Sequence, residues 1–304
     1  MRLLGLLAAL LALVLPGALA PVNAMVPLGA QASPQVSPTV SPKVSKVLLV
    51  VLENHGTAAA MRGLPWLTGQ AATYGRATAW SAQTHPSLPN YLALAGGTTA
   101  GIRDDAGPAV HRVGGASVMD EALAAGRTAT AYVDGMPSPC APEPAGLYAV
   151  KHNPWAYYAA PASRAQCRAH DLPLGSLASG ALRRDVDAGT LPTVGMLVPD
   201  LCHDAHDCPL GTADAFLRSW LGMVERGRDF RSGHLAVVVT FDEDEGTAAD
   251  GVFTAVLARS LHHVVVHAPL THYSWTRWAA GLAGVRPPAG AAGARSMGTA
   301  FGLR

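Results

Sequence analysis

Four carboxylates in a row, Asp242-Glu243-Asp244-Glu245, stand in a chain in which only 14% of residues are charged. Gathered acids repel one another, and a divalent cation is the usual relief of that repulsion. Gly246 follows them, so a solvated turn is the bland alternative. A helix–loop–helix calcium loop is disfavoured, because the flanks read as strands and the terminal Glu of that motif is missing. Glu53-Asn54-His55 offers a further group of oxygen and nitrogen ligands, or simply an Asn cap for a following helix. Thr84-His85-Pro86-Ser87-Leu88-Pro89-Asn90 sets a hydroxyl just ahead of the apolar stretch 91–95. Exposed N–H groups and the positive dipole end of a helix bind anions and stabilise an alkoxide there. Ser87 is therefore a candidate nucleophile, or on the plainer reading an N-cap. Asp200, His203, Asp204, His206 and Asp207 crowd into eight residues around Cys202 and Cys208. His272 at the start of a late helix and His152 in Lys151-His152-Asn153-Pro154 add two more imidazoles, each of which alone is as readily structural. His262, His263 and His267 lie in an apolar run without a metal-binding spacing.

These residues need elements to bring them together. Short apolar or β-branched runs predict strands over 46–52, 128–133, 193–198, 235–241, 252–257 and 264–267. Helical stretches fall between them, over 63–74, 117–125, 174–187, 212–226 and 272–282. Such alternation predicts an α/β fold, a mostly parallel central sheet sandwiched by helices. Glu53, the 200–207 cluster and Asp242 each follow a predicted strand. The carboxyl ends of parallel strands share one edge of the sheet, where ligands bind. The acidic groups are thus expected to converge.

The remaining composition sets limits. The 304 residues are 49% hydrophobic, enough for a sizeable core. A formal net charge of +1 gives no basic excess for nucleic acid or a membrane surface. Residues 1–24 read as a signal peptide: Arg2, an apolar run and a small-residue exit. Repeated Ser-Pro units then predict an extended tether over 25–45, followed by one catalytic domain over 46–304. The mature chain is expected to be secreted, with no membrane span. Four cysteines allow three pairings, and Cys140–Cys167 with Cys202–Cys208 is the simplest. A cysteine-rich metal site is the alternative, although no Cys-x-x-Cys is present. No G-x-S-x-G, G-x-G-x-x-G or Walker loop occurs.

Six stretches in this order, Glu53-Asn54-His55, His85 to Ala93, Lys151 to Pro154, Leu201 to Cys208, Phe241 to Asp244 and Thr271 to Ser274, carry a resemblance. Together they resemble the bacterial and fungal phosphoesterase family of secreted acid phosphatases and non-haemolytic phospholipases C, within the alkaline phosphatase superfamily. Ser87-Leu88-Pro89-Asn90 is also similar to the Thr-Phe-Pro-Asn of nucleotide pyrophosphatases, whose first residue is the nucleophile. The resemblance implies an alkaline-phosphatase-like fold, with Ser87 attacking phosphorus and Glu53, Asn54, Asp242 and Glu243 holding a metal that Ser87 also touches. It implies further that His206 or His272 serves the leaving group. His85, Asn90, His152 and Asp204 would bind phosphate or a second metal. Oxygen-dominated ligands favour Ca²⁺, Mg²⁺ or Mn²⁺, and the imidazoles keep Zn²⁺ or Fe open. Asp200 and His203 depart from the pattern, standing where Asn is expected. The short chain points to a monomeric phosphomonoesterase acting on a small phosphate ester or a phospholipid headgroup, phosphoinositide phosphates among them. A phosphodiesterase and a non-catalytic phosphate-binding protein are the rivals.

Overall fold

Fully apolar runs become strands that are covered on both faces, because no polar alternation gives them a solvent side. The computed structural model describes Gly17 and residues 43–247 and 250–303. The expected signal peptide and most of the tether lie outside the described residues. The strands are β1 (Lys46–Leu52), β2 (Gly75–Ala77), β3 (Trp80–Ser81), β4 (Ala129–Val133), β5 (Asp171–Pro173), β6 (Val194–Val198), β7 (Leu235–Phe241), β8 (Thr254–Ala258), β9 (Val264–Val266) and β10 (Leu270–Thr271). The principal helices are α1 (Thr57–Gly63), α2 (Pro65–Thr73), α3 (Ser87–Gly96), α4 (Val118–Ala124), α5 (Pro161–His170), α6 (Ala181–Ala188), α7 (Leu210–Arg226), α8 (Arg228–Arg231) and α9 (His272–Ala283).

Eight strands form one sheet in the order β5-β4-β6-β1-β7-β8-β2-β9. From β5 to β7 every pairing is parallel; β8 runs against both β7 and β2. The α/β class and the mostly parallel sheet are as the sequence indicated. The decisive register is that of β1 with β7, which pairs residue for residue from Lys46↔Leu235 to Leu52↔Phe241. Glu53 and Asp242 therefore leave the sheet side by side. β6 flanks β1 on the other side, so the 200–208 loop emerges at the same edge. Helices α3, α4 and α9 pack together, and α1 and α2 pack with α7, over a core that includes nearly all of β1 and β7.

Short elements that the sequence does not mark, among them β2, β3, β5, β10 and α8, are added, and two longer ones differ from expectation. The helix predicted over 174–187 begins only at Ala181. Gly175 (φ 84°) and Gly180 (φ 135°) bring the chain back on itself, and a Cβ on Gly180 would meet the Leu174 carbonyl oxygen at 2.4 Å. Helix α5 escapes sequence reading because only Ser163 and Cys167 are buried, so no apolar stripe marks it. Cys140 pairs with Cys167 and Cys202 with Cys208.

Asp171, on edge strand β5, is wholly buried; one oxygen accepts from Asn153 Nδ2 at 2.8 Å and the other has no partner. Burial pushes its pKa to about 7, against the opposing pull of Asn153 and Arg164. The folded protein thus keeps this proton to higher pH than the unfolded chain, whose carboxyl titrates near 3.8. Stability is fully present below pH 3.8 and declines as pH rises towards 7. Asp171→Asn should remove that decline and gain up to about 4 kcal/mol over the parent above pH 7. Urea unfolding at pH 4.5 and 8 measures it, and an unchanged pH slope in the variant would show that Asp171 is ionised in the fold.

Candidate active site

Ser87 opens α3, a helix whose ten residues are all buried and which ends at Gly97 in the left-handed conformation (φ 65°). Its first turn is held from outside the helix. Asp105 Oδ1 accepts from Leu88 N at 2.9 Å, supplying the negative charge that a helix N-terminus favours. Asn90 Oδ1 accepts from Gln83 N and Thr84 N at 2.9 and 3.2 Å, which fixes the loop that carries His85. The Ser87 hydroxyl, 2% exposed, donates to Glu53 Oε2 at 3.0 Å.

Glu53 is the hub. Its other oxygen accepts from Tyr91 OH at 2.7 Å and lies 3.2 Å from His152 Nε2, off the angle of a hydrogen bond. Its backbone N–H donates to the Asp204 carbonyl at 2.9 Å, and Asp242 N–H donates to the Leu52 carbonyl at 2.9 Å, so the end of β1 is bridged on both sides. Asn54 follows at φ 58°, a left-handed conformation that Asn tolerates better than most residues. That turn aims Asn54 N–H at Asp242 Oδ1, 3.1 Å away. Asp242 Oδ2 is buried without any partner.

The acids divide by role. Burial, then Glu53 and Glu243, push the Asp242 pKa well above the usual carboxylate range. Burial also raises Glu243, to about 7, with His85 opposing and Glu53 adding. Glu243 Oε2 accepts from Asn90 Nδ2 at 3.1 Å and lies 3.2 Å from His85 Nδ1. Asp244 and Glu245 shape the loop instead: Asp244 Oδ1 accepts from Gly246 N and Thr247 N, and Glu245 Oε2 accepts from Gly56 N at 2.9 Å. His85 Nε2 sits 3.5 Å from Asp250, a residue that sequence reading passed over.

Three imidazoles occupy different settings. His152 is buried between Glu53 and Asp204, with Nδ1 3.0 Å from Asp204 Oδ2, and stacks on Tyr91 at 5.0 Å. Burial alone would depress its pKa, but Glu53 and Asp204 raise it to about 10. The imidazolium so held keeps Glu53 below the usual carboxylate range, although burial alone would raise that group. His206 is exposed at the rim, where Asp207 Oδ1 lies 2.7 Å from Nδ1 and Lys151 Nζ 3.4 Å from Nε2. Lys151 in turn donates to Asp105 Oδ2 at 3.0 Å. His272 departs from the expectation of a proton donor. Trp80 Nε1–H donates to its Nδ1 at 3.1 Å and its Nε2 meets the Asp242 carbonyl at 2.6 Å, so both ring nitrogens are used inside the protein. Burial lowers its pKa to about 4.

The disulfide loop splits as well. Asp204 and His206 turn to the site, whereas Asp200 and His203 turn to Asp134, with His203 Nδ1 2.8 Å from Asp134 Oδ2. Ligand atoms of Glu53, His152 and Asp204, and of His85, Asp244 and Asp250, lie within 4.8 Å of one another; in the first group the His152 imidazolium itself supplies the positive charge.

The family model described as "Phosphoesterase family" matches residues 61–260, more than half of the chain. The chain belongs to the phosphoesterase family. Its enzymatic class is that of a phosphoric ester hydrolase. This phosphoesterase is 29% identical over 237 residues to a phosphatidylinositol-3-phosphatase of Mycobacterium tuberculosis, across 75% of this chain and 73% of the relative. It is 27% identical over 231 residues to an acid phosphatase of Aspergillus fumigatus, across 70% of this chain but only 48% of that protein. The chain therefore spans about half the length of that fungal relative. Its fold resembles a protein of the alkaline phosphatase superfamily from Vibrio parahaemolyticus (TM-score 0.53, 10% identity, 84% of this chain and 70% of that one). Glu53, Asn54 and His272 lie outside the matched family range, so their roles rest on the geometry.

In this phosphoesterase, Tyr91, Lys151 and Asp105 are site residues to which the sequence reading gave no role. Tyr91 sits inside the quoted motif, one helical turn after Ser87, which is the signal that could have found it. Asp105 carries no such mark. His272→Asn tests the reading of that residue. The variant should lose about 1–3 kcal/mol of stability through the unpaired Trp80 N–H and Asp242 carbonyl. Its pH–rate profile should keep the same limbs as the parent; loss of the basic limb alone would identify His272 as the proton donor.

Proposed function

We propose that the protein is a secreted, metal-dependent phosphomonoesterase of acid-phosphatase type, working through a phosphoserine at Ser87. The observation that carries this reading is the Ser87 hydroxyl at the start of α3, 3.0 Å from a carboxylate oxygen and walled by buried acids. Glu53, Asn54, Asp242 and Glu243 are the residues that would hold the cation, and the partnerless Asp242 Oδ2 is the atom that fits one. A bound divalent ion there supplies positive charge that lowers the hydroxyl pKa and offsets phosphoryl charge. Its oxygen-rich surroundings fit Ca²⁺, Mg²⁺ or Mn²⁺, with Zn²⁺ or Fe admitted by the nearby imidazoles.

The chain's own groups account for the proton traffic. Glu53 Oε2 accepts the Ser87 proton as Oγ attacks in line; the Oγ–P bond forms and the ester P–O bond breaks. His206 gives a proton to the departing alcohol, and its exposure lets it regain one from solvent. Water then attacks the phosphoserine, the P–Oγ bond breaks, Ser87 recovers its proton and phosphate leaves. Asn90 and His85 hold Glu243 in place, and His152 keeps Glu53 ionised. The two named relatives, an acid phosphatase and a phosphoinositide phosphatase, support a small phosphate monoester as substrate, inositol lipid headgroups included. Two disulfides support export through the leader read at residues 1–24.

Ser87→Ala should cut phosphate release from an aryl phosphate by about a thousandfold or more without lowering Tm. Chelation should abolish the parent's activity and a divalent ion restore it. The parent should also prefer the monoester over its matched diester in kcat/KM. Retained activity in Ser87→Ala would end the nucleophile assignment, and a diester preference would end the monoesterase reading.

A further inference from the structure

The sheet edge opposite Ser87 carries a concentration of positive charge that the catalytic chemistry leaves unused. Strand β8 runs against β7 and pairs Ala258 with Ala236, so Arg259 leaves the sheet where β7 begins, at the end remote from Asp242. Tyr74 leads into β2 at the same edge, since Gly75 pairs with Val256. Helix α7 contributes Arg218 and Arg226, and α8 contributes Arg231. These four arginines, all exposed, line one cavity of about 420 Å³ together with Trp66, Tyr74 and a single acid, Glu225. Four guanidinium groups against one carboxylate leave an excess of three positive charges there, in a chain whose total is +1.

Among the described residues, Arg164, Arg183 and Arg277 are the arginines whose side chains donate hydrogen bonds, and Arg183 is the one that pairs with an acid. Arg218, Arg226, Arg231 and Arg259 do neither. Helix C-termini favour cations, which accounts for Arg226 at the end of α7 and Arg231 at the end of α8, but not for Arg218 or Arg259. Asp214, on the same helix α7, is spent on the Trp66 and Leu67 N–H groups at 2.9 and 3.0 Å, which fixes Trp66 in the wall. Gly222 forms part of the lining, one helical turn from both Arg218 and Arg226 in the interior of α7, where glycine weakens a helix relative to alanine. A Cβ at Gly222 would meet only Arg226 Nη1, at 3.6 Å, so packing does not demand the glycine. Its missing side chain leaves the space between the two arginines open.

Guanidinium forks take phosphate oxygens in pairs. One phosphate engages one or two forks, so a linked run of phosphates is the anion that meets all four. The half-buried rings of Trp66 and Tyr74 add apolar faces on which a base can stack. We propose that this cavity binds a triphosphate chain, free or carried by a nucleoside; both present the same oxygens to the arginines. The site is independent of the phosphomonoesterase reading.

Calorimetry on the full chain measures binding of two non-hydrolysable compounds, a methylene-bridged triphosphate and its adenosine ester, at low salt. Arg218→Gln combined with Arg259→Gln should weaken both at least tenfold. Gly222→Leu keeps every charge but fills the floor; it should weaken binding about tenfold while Tm stays level or rises. Both variants should keep aryl-phosphate kcat/KM within about twofold of the parent. Tighter binding of the adenosine ester than of the free chain assigns the site to a nucleotide, and equal or weaker binding assigns it to the free chain. No binding by the parent overturns the proposal, as does binding that survives the arginine changes, which would place the anion at the Ser87 edge. Affinity lost with the arginines but kept in Gly222→Leu would show diffuse surface charge in place of a cavity, and overturns it as well.

Discussion

Three acids buried at the ends of two neighbouring strands cannot all be ionised unless positive charge lies among them. Glu53 and Asp242 are forced together by the register of β1 with β7, and Glu243 follows one residue later. Desolvation and mutual repulsion raise Asp242 and Glu243, whereas the His152 imidazolium holds Glu53 down. The site is therefore a set of charges in search of compensation, and one part of it is already compensated by the protein. His152 does between Glu53 and Asp204 what a cation would do. The atom left over is Asp242 Oδ2.

Everything else in the neighbourhood keeps that arrangement in place. Asn90 ties the 83–86 loop to Glu243, Tyr91 and Ser87 both donate to Glu53, and α9 locks the Asp242 backbone through His272 and Trp80. Helix α9 in turn bonds to α3 through Thr276 Oγ1 and the Ala93 carbonyl at 2.8 Å. The helix that Ser87 opens and the acid-bearing strands are thus one packed unit. A hydroxyl on a mobile loop could not be kept within hydrogen-bond reach of a buried carboxylate at so small an exposure.

Much of this was legible in the sequence because it follows from strand order and local residue type. The apolar runs at 46–52 and 235–241 are strands over those very residues, and the polar residues that follow them meet. The helix start at Ser87 was visible as a hydroxyl ahead of an apolar stretch. What stayed hidden depends on long-range pairing. Nothing local in Asp105 says that it caps α3 from 17 residues away. Nor does the sequence show that the His272 ring nitrogens are spent on Trp80 and Asp242. In sequence the acidic run is one cluster, but in the fold its first two members face Ser87; Asp244 and Glu245 fold the loop, a division made by hydrogen bonds to Gly246, Thr247 and Gly56. Helix α6 started late because two glycines fold back on one another.

If the Ser87 oxygen itself takes the phosphoryl group, a covalent phosphoenzyme must form in every turnover. Rapid acid quenching of the enzyme during turnover, followed by peptide mass analysis, detects it. One phosphate is expected on the peptide that contains Ser87, at that residue, accumulating within the first turnover. A phosphate found on a histidine, or a burst of product with every peptide unmodified, would contradict it.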